Sequence, residues 1–193
     1  MEEPEISLPP TAQKRIVDLI RDLAGQSIFT SHSPYVLEEF EPEQILVVAR
    51  DHTSGDMTGT RVDLPHELKH KVFRQGMRTR FSEALLARRI LVCEGRSEAM
   101  AYPYLAKRGA AADASAFSRM DTDGWAVFDA EGETNVASFA RFFKGLGKSV
   151  VTVFDMQRAE VLAEIEAASD LAFQQPHAGF EDLLVSELPD AVK

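Results

Sequence analysis

The chain has 193 residues, 45% hydrophobic and 27% charged, enough for one large or two small globular domains. Its formal net charge of −10 excludes a metal-free binder that grips nucleic acid through a broad basic face, although a metal-dependent enzyme escapes that exclusion because the bound cation sets the local charge. Its single cysteine excludes an internal disulfide framework, no run of about 18 apolar residues offers a membrane span, and the acidic start Met1-Glu2-Glu3-Pro4-Glu5 is unlike a secretory signal, so a reducing cytoplasm is the expected compartment.

In chain order, residues 11–24 are predicted as a helix. Ile16, Ile20 and Leu23 recur at helical spacing beside Ala24, Pro9-Pro10-Thr11 offers a start and Gly25 a stop. Residues 27–30 read as a short strand, followed by Ser31-His32-Ser33-Pro34 and a short helix over 35–40. A strand over 44–49, a polar loop over 51–60 and a strand over 60–64 read as a hairpin. Pro65 opens a long helix over roughly 66–87, with Leu68, Val72, Phe81, Leu85 and Leu86 inward. That region is rich in cations: Lys69, Lys71, Arg74, Arg78, Arg80, Arg88 and Arg89. They form a solvated helix face or a surface for the DNA backbone.

The second half alternates strand and helix. Strands are expected at 89–93, 125–128, 149–154 and 171–174, and helices at 97–108, 134–146, 158–168 and 180–188, with a small-residue loop or frayed helix over 109–118. Such alternation predicts an α/β fold with a mostly parallel sheet flanked by helices and joined by right-handed crossovers. The chain divides at the basic helix: 1–65, a linker helix over 66–88, and 89–193.

Two apolar, β-branched runs end abruptly in an acid: Ile90-Leu91-Val92-Cys93-Glu94 and Val150-Val151-Thr152-Val153-Phe154-Asp155. Runs of this kind are buried parallel strands, and ligands of open parallel sheets bind beyond the carboxyl ends of the strands. Gly95 permits a tight turn, Ser97 is a plausible helix N-cap, and Glu98 then falls in the first helical turn, back over Glu94. Asp129 and Glu131 follow the strand over 125–128. Unit charges about 4 Å apart repel by about 4 kcal/mol at an effective dielectric near 20. A cluster of these acids persists only if protonated, paired with cations or neutralised by a metal, and oxygen-only ligands favour Mg²⁺, Mn²⁺ or Ca²⁺ over zinc. The alternative for each acid taken singly is a solvated helix cap. Cys93, inside an apolar run, is a packing residue. His52, His66, His70 and His177 have no ligand spacing, and Ser31 and Ser33 lack a nucleophile-elbow context.

Leu91-Val92-Cys93-Glu94-Gly95, Gly132-Glu133-Thr134-Asn135 and Val153-Phe154-Asp155-Met156-Gln157 together resemble the Toprim domain of topoisomerases, primases and certain nucleases. By that resemblance Glu94 is the catalytic glutamate, Asp155 the first aspartate of an Asp-x-Asp pair, and Glu98 the second acid of the nuclease branch. The first residues resemble the end of an ABC-type ATPase domain. Glu2 and Glu3 stand at the close of a Walker B motif, where they would hold Mg²⁺ and polarise the attacking water, and His32 is the switch histidine directed at a γ-phosphate. ATPase followed by Toprim resembles the OLD (overcoming lysogenization defect) family of bacterial and phage ATP-dependent nucleases, which implies a bacterial cytoplasm.

Two departures stand out. Gln157 occupies the place of the second aspartate, so it offers an amide oxygen without charge, and a second cation falls to Glu98, Asp129, Glu131 or Glu160. No P-loop is present: Gly147-Lys148-Ser149 precedes a strand and has Phe142 where the first glycine belongs. ATPase activity is therefore not expected from this chain alone, and ATP enters only in a longer parent. The resemblance implies a Mg²⁺- or Mn²⁺-dependent DNA endonuclease module, for phage defence or DNA processing, with one or two ions. Glu94, Glu98 and Asp155 are its catalytic residues, and Asp129, Glu131 and Gln157 are further ligands. DNA is the partner, and a homodimer is expected in the full-length parent. The alternative is a regulatory or dimerisation module that kept the Toprim fold and lost its chemistry.

Overall fold

The computed structural model describes residues 2–51, 53–72, 77–177 and 179–187, in two compact units, Met1–Leu86 and Ala87–Lys193. In the first unit, helix α1 (Pro10–Leu23) opens on proline, whose missing N–H costs nothing in a first turn. Its one buried residue is Val17, while Leu23, expected inward, is 79% exposed. Ile16 and Ile20 are half-buried, so the covered face runs along Ile16, Val17 and Ile20 and leaves the helix end at Leu23 exposed. Helix α2 (Pro34–Leu37) is capped by Ser33, whose Oγ accepts the Tyr35 N–H.

A 3₁₀ turn at Pro42–Gln44 leads into a hairpin of β1 (Leu46–Arg50) and β2 (Met57–Arg61), paired antiparallel from Leu46 opposite Arg61 to Arg50 opposite Met57. The loop is shorter than the polar stretch implied, and β2 starts before residue 60. Asp51 accepts the N–H groups of Thr53 and Ser54 at 2.7 Å and donates its own to Asp56 O, and Gly55 takes φ +79°, so the turn closes early. The strand expected over 27–30 reduces to an isolated parallel bridge between Glu2 and Thr30. A ladder needs successive pairs, and a single bridge does not make one.

Where one long helix was expected over 66–87, the described residues form α3 (His66–Val72) and α4 (Met77–Leu86). Leu68, Phe81 and Leu85 are buried as expected, and Leu86 is exposed. Residues 73–76, His52 and Leu188, with the side chains of His70, Lys71 and Val72, lie outside the described residues. Two cations of the basic region are satisfied locally: Lys69 pairs with Glu43, and Arg78 donates to Phe40 O at 3.1 Å.

The second unit is an α/β sandwich on one sheet. Its strands are β3 (Arg89–Cys93), β4 (Trp125–Asp129), β5 (Ser149–Phe154) and β6 (Leu171–Gln174), all parallel, in spatial order β4-β3-β5-β6. Central β3 buries Ile90, Leu91, Val92 and Cys93, which is why its sequence is apolar throughout. Edge strand β6 leaves Leu171 and Phe173 exposed. The helices are α5 (Arg96–Ala112), α6 (Glu133–Gly145), α7 (Ala159–Ala168) and α8 (Phe180–Glu187). Helix α5 runs past residue 108 because Ala110–Ala112 are strong helix formers. Gly109 is required there: a Cβ would stand 2.8 Å from the Phe117 ring.

Right-handed crossovers put α5 on one face and α6 with α7 on the other, and α6 packs on α7, β5 and β3. Under α6 the core is aromatic. Phe128 meets Phe139 and Phe143 edge-to-face at 4.6 and 5.1 Å, favourable geometry for ring quadrupoles. The helix after β3 therefore lies on the opposite face from those after both neighbours, β4 and β5. This is a topological switch point, and it opens a crevice at the carboxyl end of β3.

Candidate active site

Register determines what reaches that crevice. Cys93 stands opposite Asp129 on one side and Val153 on the other, so on three adjacent strands Asp129 lies one residue before the level of Glu94 and Asp155 one residue after it. Ala130 N donates to Cys93 O at 2.9 Å, Gly132 N to Glu94 O at 2.9 Å, and Glu94 N to Val153 O at 3.2 Å. The Glu94 carboxylate spans the strand gap: its Oε2 accepts the Asp155 N–H at 3.2 Å and the Gln157 Nε2 at 3.1 Å. Gln157 thus presents its amide nitrogen to Glu94, in the manner of a hydrogen-bond donor and not of a ligand oxygen.

Ser97 does not cap α5. Gly95 is the N-cap residue, and the Ser97 hydroxyl donates to Glu181 Oε1 at 3.1 Å, linking α5 to α8. The helix begins at Arg96, two residues earlier than a cap at Ser97 would allow. Glu98 lies in its first turn and is 4% exposed. A Cβ on Gly95 would stand 3.0 Å from Glu98 Oε2, so the glycine makes room for that carboxylate.

The β4–α6 turn is bent sharply. Glu131 has φ +56°, uncommon for a residue with a side chain, and Gly132 has φ +124°. Two side chains hold it: buried Asp129 accepts the Glu131 N–H at 2.8 Å, and buried Asn135 donates to Ala130 O at 2.9 Å and Glu131 O at 3.2 Å.

Glu94, Glu98, Asp129, Glu131 and Asp155 together line a cleft of about 460 Å³, with Arg96, Ser97, Phe180 and Glu181 beside them. Gln157 and Glu160 are not among its lining residues. Burial raises the carboxyl pKa of Glu94, and the charges of Glu133 and Glu98 push the same way against the Asp155 and Gln157 hydrogen bonds. Burial, then Asp155, Glu181 and Asp129, raises Glu98. Burial, then Glu94, Glu181 and Asp182, raises Asp155. Tyr102, one helical turn beyond Glu98, packs edge-on to Phe180, and burial pushes its hydroxyl up to about 12. Cys93 is buried and its thiol pKa is raised, as befits a packing residue.

The donor chemistry suits a hard divalent cation. Every acid is an oxygen donor, the carboxylates repel one another, and buried Asp155 Oδ1 has no hydrogen-bond partner among the described residues. Among the described residues, as their side chains stand, no three His, Cys, Asp or Glu groups converge at ligating distance.

In the first unit, Glu3 takes φ +41° and donates its N–H to Thr30 O at 2.9 Å, and its Oε1 lies 3.6 Å from His32 Nε2. Glu2 forms the parallel bridge with Thr30. Sequence reasoning assigned Glu5 no role. It is buried, and its Oε1 accepts the Ser31 hydroxyl and the His32 N–H, tying the Ser31–His32 segment to the segment after Glu3. Also unforeseen were the cleft positions of Arg96 and Glu181 and the bracing role of Asn135. Glu181 lies far along the chain from Glu94, and no spacing rule connects them.

A mostly parallel sheet with carboxylates gathered at its switch point defines a Toprim-like domain. Residues 85–156 match the family model described as "Overcoming lysogenization defect protein-like, TOPRIM domain", and residues 1–38 match "AAA domain, putative AbiEii toxin, Type IV TA system". The two matches are similar in order to an ATPase segment followed by an OLD-like Toprim domain, and they support a module of nuclease type. A comparison with curated proteins gives no match. No helix among the described residues is long and apolar enough to cross a membrane.

Proposed function

We propose that the Ala87–Lys193 unit hydrolyses DNA phosphodiester bonds with Mg²⁺ or Mn²⁺, as the nuclease module of an ATP-gated, homodimeric cytoplasmic protein acting in phage defence or DNA processing. The observation that carries this reading is the delivery of Glu94, Asp129 and Asp155 from adjacent parallel strands into one cleft, with Glu98 folded back over them. Glu94, Glu98 and Asp155 would hold the cation, assisted by Asp129 and Glu131. A divalent cation so held supplies charge for the phosphoryl oxygens and an acidified water.

The residues of the chain do the rest. Glu94, its carboxyl pKa raised by burial and its position anchored by the Asp155 N–H and the Gln157 amide, would take the proton of the attacking water. Asn135 and Asp129 keep the strained β4–α6 turn in place, so Glu131 stays at the cleft. In the first unit Glu2, Glu3 and His32 would serve nucleotide binding once a longer parent supplies the phosphate loop.

Supercoiled plasmid incubated with the chain and Mg²⁺, Mn²⁺, Ca²⁺ or EDTA tests this directly. Nicking should require Mg²⁺ or Mn²⁺ and fall about 10³-fold or more in Glu94→Ala, whose circular dichroism stays that of the wild type. Wild-type cleavage rates in that variant would sink the mechanism.

One observation favours a second reading, an inert regulatory or dimerisation module. A neutral Gln157 donates to Glu94 where a second acid would contribute charge. Under that reading millimolar Mn²⁺ leaves the melting temperature unchanged.

A further inference from the structure

We propose that Arg96 positions the DNA, its guanidinium receiving a phosphodiester group at the acidic cleft. The inference rests on the nuclease reading for the reaction, but the contact itself stands on separate observations. Arg96 is the first residue of α5 and lines the cleft with Glu94, Glu98, Asp155 and Glu181. Its side chain is exposed, and among the described residues lining the cleft it is the one cation.

Other arginines of the chain are engaged: Arg119 clasps Asp121, Arg78 donates to Phe40 O, and Arg89 lies over Trp125. The Arg96 guanidinium makes no hydrogen bond, ion pair or ring contact among the described residues, although carboxylates line the same cleft. Five N–H donors in a planar fork are therefore available to a ligand, and that fork matches the paired oxygens of a phosphodiester.

The charge argument points the same way. A polyanion approaching this many carboxylates is repelled unless cations meet it, and a metal held among the acids neutralises only part of them. A fixed guanidinium on the cleft wall grips a phosphate and orients it against the acids, without itself joining the chemistry. Arg96 is in this sense a positioning residue.

The full chain provides the test. Binding of a short labelled duplex is followed by anisotropy in Ca²⁺ across a salt series, and cleavage of the same duplex is followed in Mn²⁺. Arg96→Gln should weaken binding about tenfold and flatten the log affinity against log salt slope by about 0.9. It should raise KM for cleavage more than it lowers kcat, with the Mn²⁺-induced rise in melting temperature unchanged. Arg96→Lys should recover the salt slope but only part of the affinity, because an ammonium cannot make the forked contact. Wild-type affinity and slope in Arg96→Gln would overturn the proposal, as would a wild-type chain that does not bind DNA. A chain that binds DNA through Arg96 but cleaves nothing in Mg²⁺ or Mn²⁺ supports the contact and sinks the nuclease reading.

Discussion

The two ends of the β4-β3-β5-β6 sheet use the same residue types to opposite effect. At the amino end, polar groups are matched. Asp170 accepts the Val150 N–H at 2.8 Å and faces the Lys144 amine at 3.2 Å, Lys144 donates to Ser169 O, and the Lys148 amine donates to Ala87 O. The Val150 hydrogen bond, followed by Lys144, holds the Asp170 carboxyl below its usual range. At the carboxyl end, Glu94, Glu98 and Asp155 are all pushed above theirs, by burial first and then by the charges of neighbouring carboxylates. Carboxylates that are paired stabilise a fold, and carboxylates crowded together strain it. The crowded end is the one that gains most from a ligand. Only Lys148 departs from the pattern at the matched end, since burial brings its amine down to about 8.

The largest effect that would test this contrast is the pH dependence of metal binding. Protons compete for the three raised carboxyls, so these groups still hold protons at a pH where ordinary carboxylates are ionised. Stabilisation by Mn²⁺, about 2.7 kcal/mol at 100 times the dissociation constant, should be full at pH 8 and shrink toward pH 5. Differential scanning fluorimetry at fixed Mn²⁺ would read it, and a pH-independent shift would show that the cation binds elsewhere.

Next in size is Glu98→Gln. For an acid raised in the folded state, the unfolded chain loses its proton first, so folding is penalised as pH rises from the unfolded pKa to the folded one and at every pH above. Removing the charge should raise metal-free stability by about 1 kcal/mol at pH 7, with the gain vanishing in acid, while cleavage is lost. Urea unfolding at pH 7 and pH 4 separates these outcomes, and destabilisation at pH 7 would contradict the strained-acid picture.

The smallest effect concerns the matched end. Asp170 has a depressed pKa, so its contribution is present above the unfolded pKa and lost as pH falls through the folded one. Asp170→Asn should cost under about 1 kcal/mol at pH 7, because the pair is exposed and screened. Its melting temperature should converge with the wild type in acid. An Asn variant as stable as the parent at neutral pH would remove the distinction between the two ends.

Strands β3 and β5 were legible in the sequence because a strand buried on both faces must be apolar at nearly every position, and such a run has few other uses. Glu94 and Asp155 were legible for the same reason: each is the first charge after such a run. The strand expected over 27–30 was not a property of its own residues, since strand pairing belongs to two segments, and only Thr30 meets Glu2. In α1 the helical spacing of Ile16 and Ile20 continued to Leu23, but Val17 is the residue that packing buries and Leu23 is exposed.

By itself, then, the sequence determined the order of elements, the parallel sheet and the acids at its strand ends, because hydrophobic periodicity and chain order act locally. Tertiary structure alone decided the rest. The register set Asp155 against Glu94, the α8 docking brought Glu181 and Phe180 to a cleft far away in sequence, and side-chain direction turned Gln157 into a donor and left Arg96 unpaired. Distance in space between residues remote along the chain is fixed by packing, and no pattern within one segment encodes it.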